Sequence, residues 1–193
     1  MNKYILGLVI LIVTIILALQ YNKKPSDIIT EEENTTIGGD FQLIDSNGEI
    51  FTSKQLENKY SIVFFGFTHC PMICPTALGT LSALYKSLNE KEKSKLNIVF
   101  ITLDPERDTA EYLNSYIENF ATPFIALTGT NQEIKATADK YKIFYEKIPL
   151  ADNNYTINHS TLIYIMSKNN KYITHFPYDV NSEEIYNKLK EII

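Results

Sequence analysis

With 193 residues, 45% of them hydrophobic and 21% charged, the chain has ordinary globular composition and room for one domain plus an anchor or tail. Its 18 Lys plus Arg are outnumbered by 23 Asp plus Glu, and no basic patch interleaved with aromatics occurs. These features argue against a disordered chain, a fibrous chain and a nucleic-acid partner.

The chain opens MNKYILGLVILIVTIILALQYNKK. Tyr4–Leu19 is apolar but for Thr14, with Lys3 before it and Lys23–Lys24 after it. That approaches the roughly 20 residues a bilayer span needs. A cleaved signal peptide shares the basic start and apolar centre, but LALQYN offers no small-x-small cleavage site and no cysteine for lipidation. Residues 1–21 therefore read as an uncleaved membrane anchor. The short cationic start places the remainder on the external side, although Lys23 and Lys24 pull the other way. No Arg-rich presequence is present, so the setting expected is a bacterial inner membrane with the domain on the periplasmic side. Residues 22–37, NKKPSDIITEEENTTI, are polar and aperiodic and read as a linker.

From residue 38 to 193 strands and helices alternate. FQLIDSNGEIFT has a Ser-Asn-Gly turn between short strands, a hairpin. YSIVFFGF and LNIVFITL are near-continuous apolar runs, as buried strands are. Between them Leu78, Leu81, Tyr85 and Leu88 share one helical stripe. DTAEYLNSYIENF pairs Asp108 with Glu111 as a capping box, and NSEEIYNKLKEII pairs Asn181 with Glu184. PFIAL reads as a strand and NQEIKATADKY as a helix, while TLIYIMS and KYITHF form a hairpin through KNN. The order predicts a central mixed sheet flanked by helices, a thioredoxin-like α/β fold with an N-terminal β-hairpin extension.

The only two cysteines stand in FFGFTHCPMICPTAL, Cys70 and Cys74, each followed by proline. Proline is tolerated at the first helical position, so Pro75 is expected there with Cys74 as N-cap and both sulfurs exposed at the helix N-terminus. The positive end of the helix favours thiolates. Three uses compete. A structural disulfide here closes a tiny loop and stabilises little. A catalytic dithiol usually has two intervening residues, not three. A metal site needs a third donor beside two soft thiolates, which select copper(I) or zinc. Of the three histidines, His69 reads as a polar loop residue pointing away from the sulfurs, and His175 as an ordinary sheet-end residue. His159 lies in NNYTINHSTLIYI, a polar loop entering an apolar strand. In a thioredoxin-like arrangement that loop lies beside the cysteine-bearing helix. Arg107 is the one arginine among 18 basic residues, as though a planar bidentate contact were needed there.

FGFTHCPMICP, LDPERDT and the HS before a late apolar strand together resemble the Sco/SenC family of copper-binding assembly factors for cytochrome c oxidase. The resemblance covers residues 38–193 and extends to the anchor. It implies copper held by Cys70, Cys74 and His159. It also implies copper delivery to, or reduction of, the dinuclear copper centre on the oxidase's copper-bearing subunit. Asp104 and Arg107 keep the family pattern and are candidates to support the ligands from behind or to face the partner. Two positions depart from it: Met72 and Asn158 stand where relatives commonly carry acids. Losing carboxylates penalises copper(II) more than copper(I), so copper(I) is the expected form and copper(II) the secondary one. A metallochaperone without turnover is the first expectation. A membrane-tethered thiol-disulfide oxidoreductase and a redox or copper sensor use the same sulfurs.

Overall fold

The structure is a computed structural model and describes residues 36–193. The expected anchor over 1–21 and residues 22–35 of the expected linker lie outside the described residues. Among the described residues no helix is long and apolar enough to cross a membrane.

Seven strands form one sheet: β1 (Gln42–Asp45), β2 (Ile50–Thr52), β3 (Tyr60–Gly66), β4 (Leu96–Thr102), β5 (Phe124–Thr128), β8 (Leu162–Met166) and β9 (Tyr172–Pro177), in the order β2-β1-β5-β4-β3-β8-β9. β3, β4 and β5 run parallel, and β8, β9 and the β1–β2 hairpin are antiparallel to their neighbours. This is the thioredoxin-like mixed sheet with the expected hairpin added at one edge. Parallel strands are covered on both faces, which is why β3 reads as an unbroken apolar run. Ile62, Val63, Phe64 and Phe65 are all fully buried.

The helices are α1 (Ile73–Ser87), a short α2 (Glu90–Lys93), α3 (Ala110–Ile117), α4 (Asn131–Lys140) and α5 (Ser182–Ile192). α1 buries Leu78, Leu81 and Leu84 and packs against α5, which contributes Ile185 and Leu189. Each such side chain contributes roughly 1.5–3 kcal/mol by leaving water. α4 is entered through a capping box of Thr130 and Glu133.

The sequence reads the NNYTINH stretch before β8 as a polar loop and assigns no element between it and α4. The structure places there a two-stranded arm, β6 (Tyr145–Pro149) and β7 (Tyr155–His159), that belongs to a sheet of its own. β6 is largely exposed, and Ile157 is the one fully enclosed residue of β7. β6 lacks the apolar alternation that marks a strand, and the alternation of Tyr155 and Ile157 in β7 is too short to announce one. The arm's turn signal is in the sequence nonetheless. Asp152 and Asn153 both have φ near +57°, with Asn154 N–H donating to Ala151 O at 3.2 Å. Asp and Asn tolerate that left-handed geometry, which tight hairpin turns require.

Candidate metal centre

β3 ends at Gly66, and a short loop carries Cys70 into α1. The helix starts earlier than expected: its N-cap is Met72, so Cys74 lies in the first turn with Pro75 after it. The first backbone bond of the helix runs from Thr76 N to Met72 O at 3.1 Å. The N–H groups before Thr76 have no helical acceptor, so a proline at position 75 forfeits nothing. Cys74 N–H is satisfied by Cys70 Sγ at 3.4 Å. Being inside the turn, Cys74 points into the core and is fully buried, and Cys70 is nearly so, whereas both sulfurs were expected to be exposed. Both cysteines are free thiols.

Gly66 makes room for this, a role the sequence reading missed. A Cβ there would sit 2.7 Å from Cys74 Sγ, 3.0 Å from the Phe100 ring and 3.1 Å from the Phe64 ring. The glycine inside FFGF, an apolar strand, was the available signal, because a lone strand glycine marks close approach of another group.

The sulfurs are electrostatically unequal. The hydrogen bond from Cys74, opposed by burial and helped by the Cys74 backbone N–H, holds the Cys70 thiol well below the usual range. Cys74 is pushed up, first by its bond to Cys70 and then by burial. Of the two, Cys70 is the one favoured as thiolate and Cys74 the one favoured as thiol. A soft cation entering here displaces the proton from Cys74.

His159 closes the third side from the end of β7, paired across the arm with Tyr145. Its Nε2 lies 3.9 Å from Cys74 Sγ, and its Nδ1 lies 2.7 Å from the Ser160 carbonyl. A carbonyl only accepts, so Nδ1 carries the hydrogen and Nε2 turns its lone pair to the sulfur. Phe64 and Phe67 hold the ring edge-on at 6.5 and 5.9 Å. A cavity of about 210 Å³ lies between the Cys70–Met72 loop and the Ile157–His159 strand end. Among the described residues no group of three or more His, Cys, Asp or Glu side chains stands arranged to hold a metal ion as it is. Cys70 and His159 line the cavity, while the buried Cys74 sulfur lies beneath, 3.9 Å from His159 Nε2; two sulfurs and an imidazole are donors of the kind copper(I) takes.

The remaining expected residues fall into two groups. Met72 is 64% exposed at the cavity mouth, and the Asn158 amide donates to Glu146 Oε1 at 3.2 Å across the arm. Asp104 and Arg107, in contrast, face inward. Buried Asp104 takes Arg107 Nε on Oδ2 and the Tyr155 hydroxyl on Oδ1 at 2.6 Å. Arg107 lies over the Tyr155 ring at 3.8 Å and donates to Tyr155 O at 3.1 Å. Tyr155 is thus a site-supporting residue that the sequence reading did not single out.

Asp108 is not the helix cap it was expected to be. Thr109 caps α3, accepting from Tyr112 N at 3.2 Å. Asp108 is buried and accepts from Thr68 N–H at 3.0 Å, from the Thr68 hydroxyl and from the Thr102 hydroxyl at 2.6 Å. It ties the end of β4 to the loop before Cys70, and burial raises its pKa. His69 stacks on Tyr112 at 5.6 Å and meets the Thr68 hydroxyl, while His175 meets the Tyr172 hydroxyl at 2.7 Å on β9.

A family model described as SCO1/SenC matches residues 29–193. An SCO2-like protein of Rickettsia felis is 43% identical over 180 residues, covering 91% of this chain and 87% of its own length. The structure of Bradyrhizobium japonicum ScoI with copper bound is 37% identical, with TM-score 0.76 over 81% of this chain and 99% of that one. Yeast Sco1 with copper bound is 33% identical, with TM-score 0.75 over 81% of this chain and 88% of that one.

Proposed function

The chain belongs to the SCO1/SenC family, and on that premise we propose that it is a membrane-anchored copper metallochaperone serving the dinuclear copper centre of cytochrome c oxidase. The observation that carries this reading is His159 Nε2 facing Cys74 Sγ at 3.9 Å, with Cys70 Sγ held beside it by the Cys74 N–H at 3.4 Å. Copper(I) is the cargo. It takes Cys70 as the favoured thiolate, displaces the Cys74 proton, and is capped by His159. Such a three-donor set leaves an open coordination position at the cavity mouth, where an acceptor's ligand can enter before the imidazole leaves. The site belongs on the periplasmic face of a bacterial inner membrane, behind the span read at Tyr4–Leu19, where the oxidase's copper-bearing subunit presents its centre.

The unequal thiols favour one second reading, a dithiol reductant for that subunit. The Cys70 thiolate attacks one sulfur of the partner's disulfide and the partner's second sulfur leaves as thiolate. Cys74, deprotonated, then attacks Cys70, releasing the reduced partner and leaving a Cys70–Cys74 disulfide.

Copper(I) titration of the full chain in detergent, against a chromophoric chelator, tests the three-donor site on which the first reading rests. One copper per chain is expected, with Cys70→Ala, Cys74→Ala and His159→Ala each weakening it at least tenfold, and His69→Ala and His175→Ala leaving it unchanged. Full affinity in His159→Ala overturns the three-donor site and leaves the dithiol reading.

A further inference from the structure

We propose that Asp104, Arg107 and Tyr155 form a latch that seats the β6–β7 arm, so that the Leu103–Asp108 loop sets whether His159 stands at the sulfurs. The inference rests on the ligand role given to His159 above and names the residues that position it.

An isolated two-stranded hairpin is marginal in water. This arm pairs with no strand of the main sheet, and most of β6 is exposed. Something outside the arm must hold it. Ile157 supplies one apolar plug. The polar ties converge on the Leu103–Asp108 loop. The Tyr155 hydroxyl donates to Asp104, Arg107 Nη1 donates to Tyr155 O and to Asn154 Oδ1, and Lys147 pairs with Glu106 at 2.7 Å. Arg107 and Lys147 both lie against the Tyr155 ring, at 3.8 and 4.6 Å.

The loop half of the latch is fixed to the body. Asp104 N–H donates to Thr102 Oγ1 at 2.9 Å, and the N–H groups of Arg107 and Asp108 both return to Asp104 O. Tyr155 is the first residue of β7 and His159 the last. Side chains alternate along a strand, so Tyr155, Ile157 and His159 share one face, with the two ends about 13 Å apart. Seating Tyr155 therefore fixes both the height and the facing of the imidazole.

The latch is also releasable. Among the described residues buried Arg107 Nη2 has no acceptor, which weakens the closed arrangement. Burial and the Asp104 contact push the Tyr155 phenol up to about 12, so it remains a donor.

A double-mutant cycle distinguishes positioning from general support. Tyr155→Phe removes the hydroxyl and keeps the ring. In the full chain it is expected to weaken copper(I) binding about five- to tenfold, yet less than twofold in a His159→Ala background. Arg107→Lys, which keeps charge but loses the planar fork, is expected to behave alike. Metal-free hydrogen exchange is read in parallel: amides of residues 145–159 should exchange roughly tenfold faster in either variant, with those of β3 and β4 unchanged. Equal weakening in both backgrounds, or unchanged exchange in the arm, overturns the latch. If His159→Ala itself retains copper, the ligand reading fails, and the exchange result alone decides whether the loop seats the arm.

Discussion

The cysteines and the histidine reach one cavity from supports of opposite kind. Cys74 stands in the first turn of a buried helix, against a buried parallel strand, with Gly66 leaving its sulfur just enough space. His159 stands at the end of an exposed two-stranded arm that is tied down mainly through Tyr155. A close-packed support resists any change of volume, whereas a hydrogen-bonded one yields by opening. On the copper role proposed above, a site that takes up an ion and surrenders it gains from that division. The thiolates keep their spacing while the third donor can leave without disturbing the core.

The sharpest way to break the contrast is to add one methyl group on the rigid side. Gly66→Ala forces a Cβ to within 2.7 Å of Cys74 Sγ and against two phenyl rings. It is expected to cost about 1–3 kcal/mol of stability and to weaken copper(I) binding by displacing the sulfur. Ile148→Ala removes far more, but from an exposed position on the arm, and should stay within about 0.5 kcal/mol. Denaturant unfolding of both variants measures the difference. Equal losses would mean that the arm is as closely packed as the core.

The same contrast explains what could be read from the chain alone. β3, β4 and α1 announce themselves because burial on two faces, or on one stripe, leaves a period in the apolar residues. That placed the cysteines correctly at a strand-to-helix junction. It did not fix the helix start, since a proline fits any position whose N–H lacks a helical acceptor, and Pro75 fits inside the first turn as well as at its first residue. The arm has no period long enough to read, so His159 was placed near the sulfurs by fold order and resemblance, not by local pattern. Asp108 misled for a similar reason. Asp followed by Glu three residues on is a capping pattern, but the adjacent Thr109 caps equally well and frees the carboxylate to bind Thr68 and Thr102. Tyr155 carried no signal because its partner, Asp104, is 51 residues away.

A second prediction sharpens the inequality of the sulfurs on the rigid side. The Cys70 thiol is held low by its bond from Cys74, and Cys74 is held high by the same bond and by burial. Alkylation by iodoacetamide, mapped by mass spectrometry, should therefore label Cys70 first. Its rate should stay level as pH falls from 8 through 6, because the thiolate remains ionised far below the ordinary thiol value of about 8.5. Cys74→Ala removes the donor and should bring back a fall in rate near neutral pH. An ordinary thiol profile for the unaltered chain would remove the electrostatic asymmetry.

The smallest expected effect tests charge at the cavity mouth, where the two supports meet. Met72 and Asn158 replace the acids that the family resemblance leads one to expect, yet Asn158 donates to the Glu146 carboxylate at 3.2 Å, so a negative charge stands beside that position already. Asn158→Asp would set two carboxylates opposite each other across the arm and loosen it, confounding charge with position. Met72→Asp adds the charge without touching the arm, because Met72 is 64% exposed on the loop side. Copper(II) with two thiolates and an imidazole is formally neutral, and copper(I) there carries one negative charge, so an added carboxylate disfavours copper(I). Through solvent the effect is on the order of 0.5 kcal/mol, about 20 mV for a one-electron couple. Voltammetry should find the copper(II)/copper(I) potential lowered by that amount in Met72→Asp, with exchange in the arm unchanged. An unchanged or raised potential would mean that donor geometry, and so the seating of His159, outweighs the charges at the mouth in choosing between the two oxidation states.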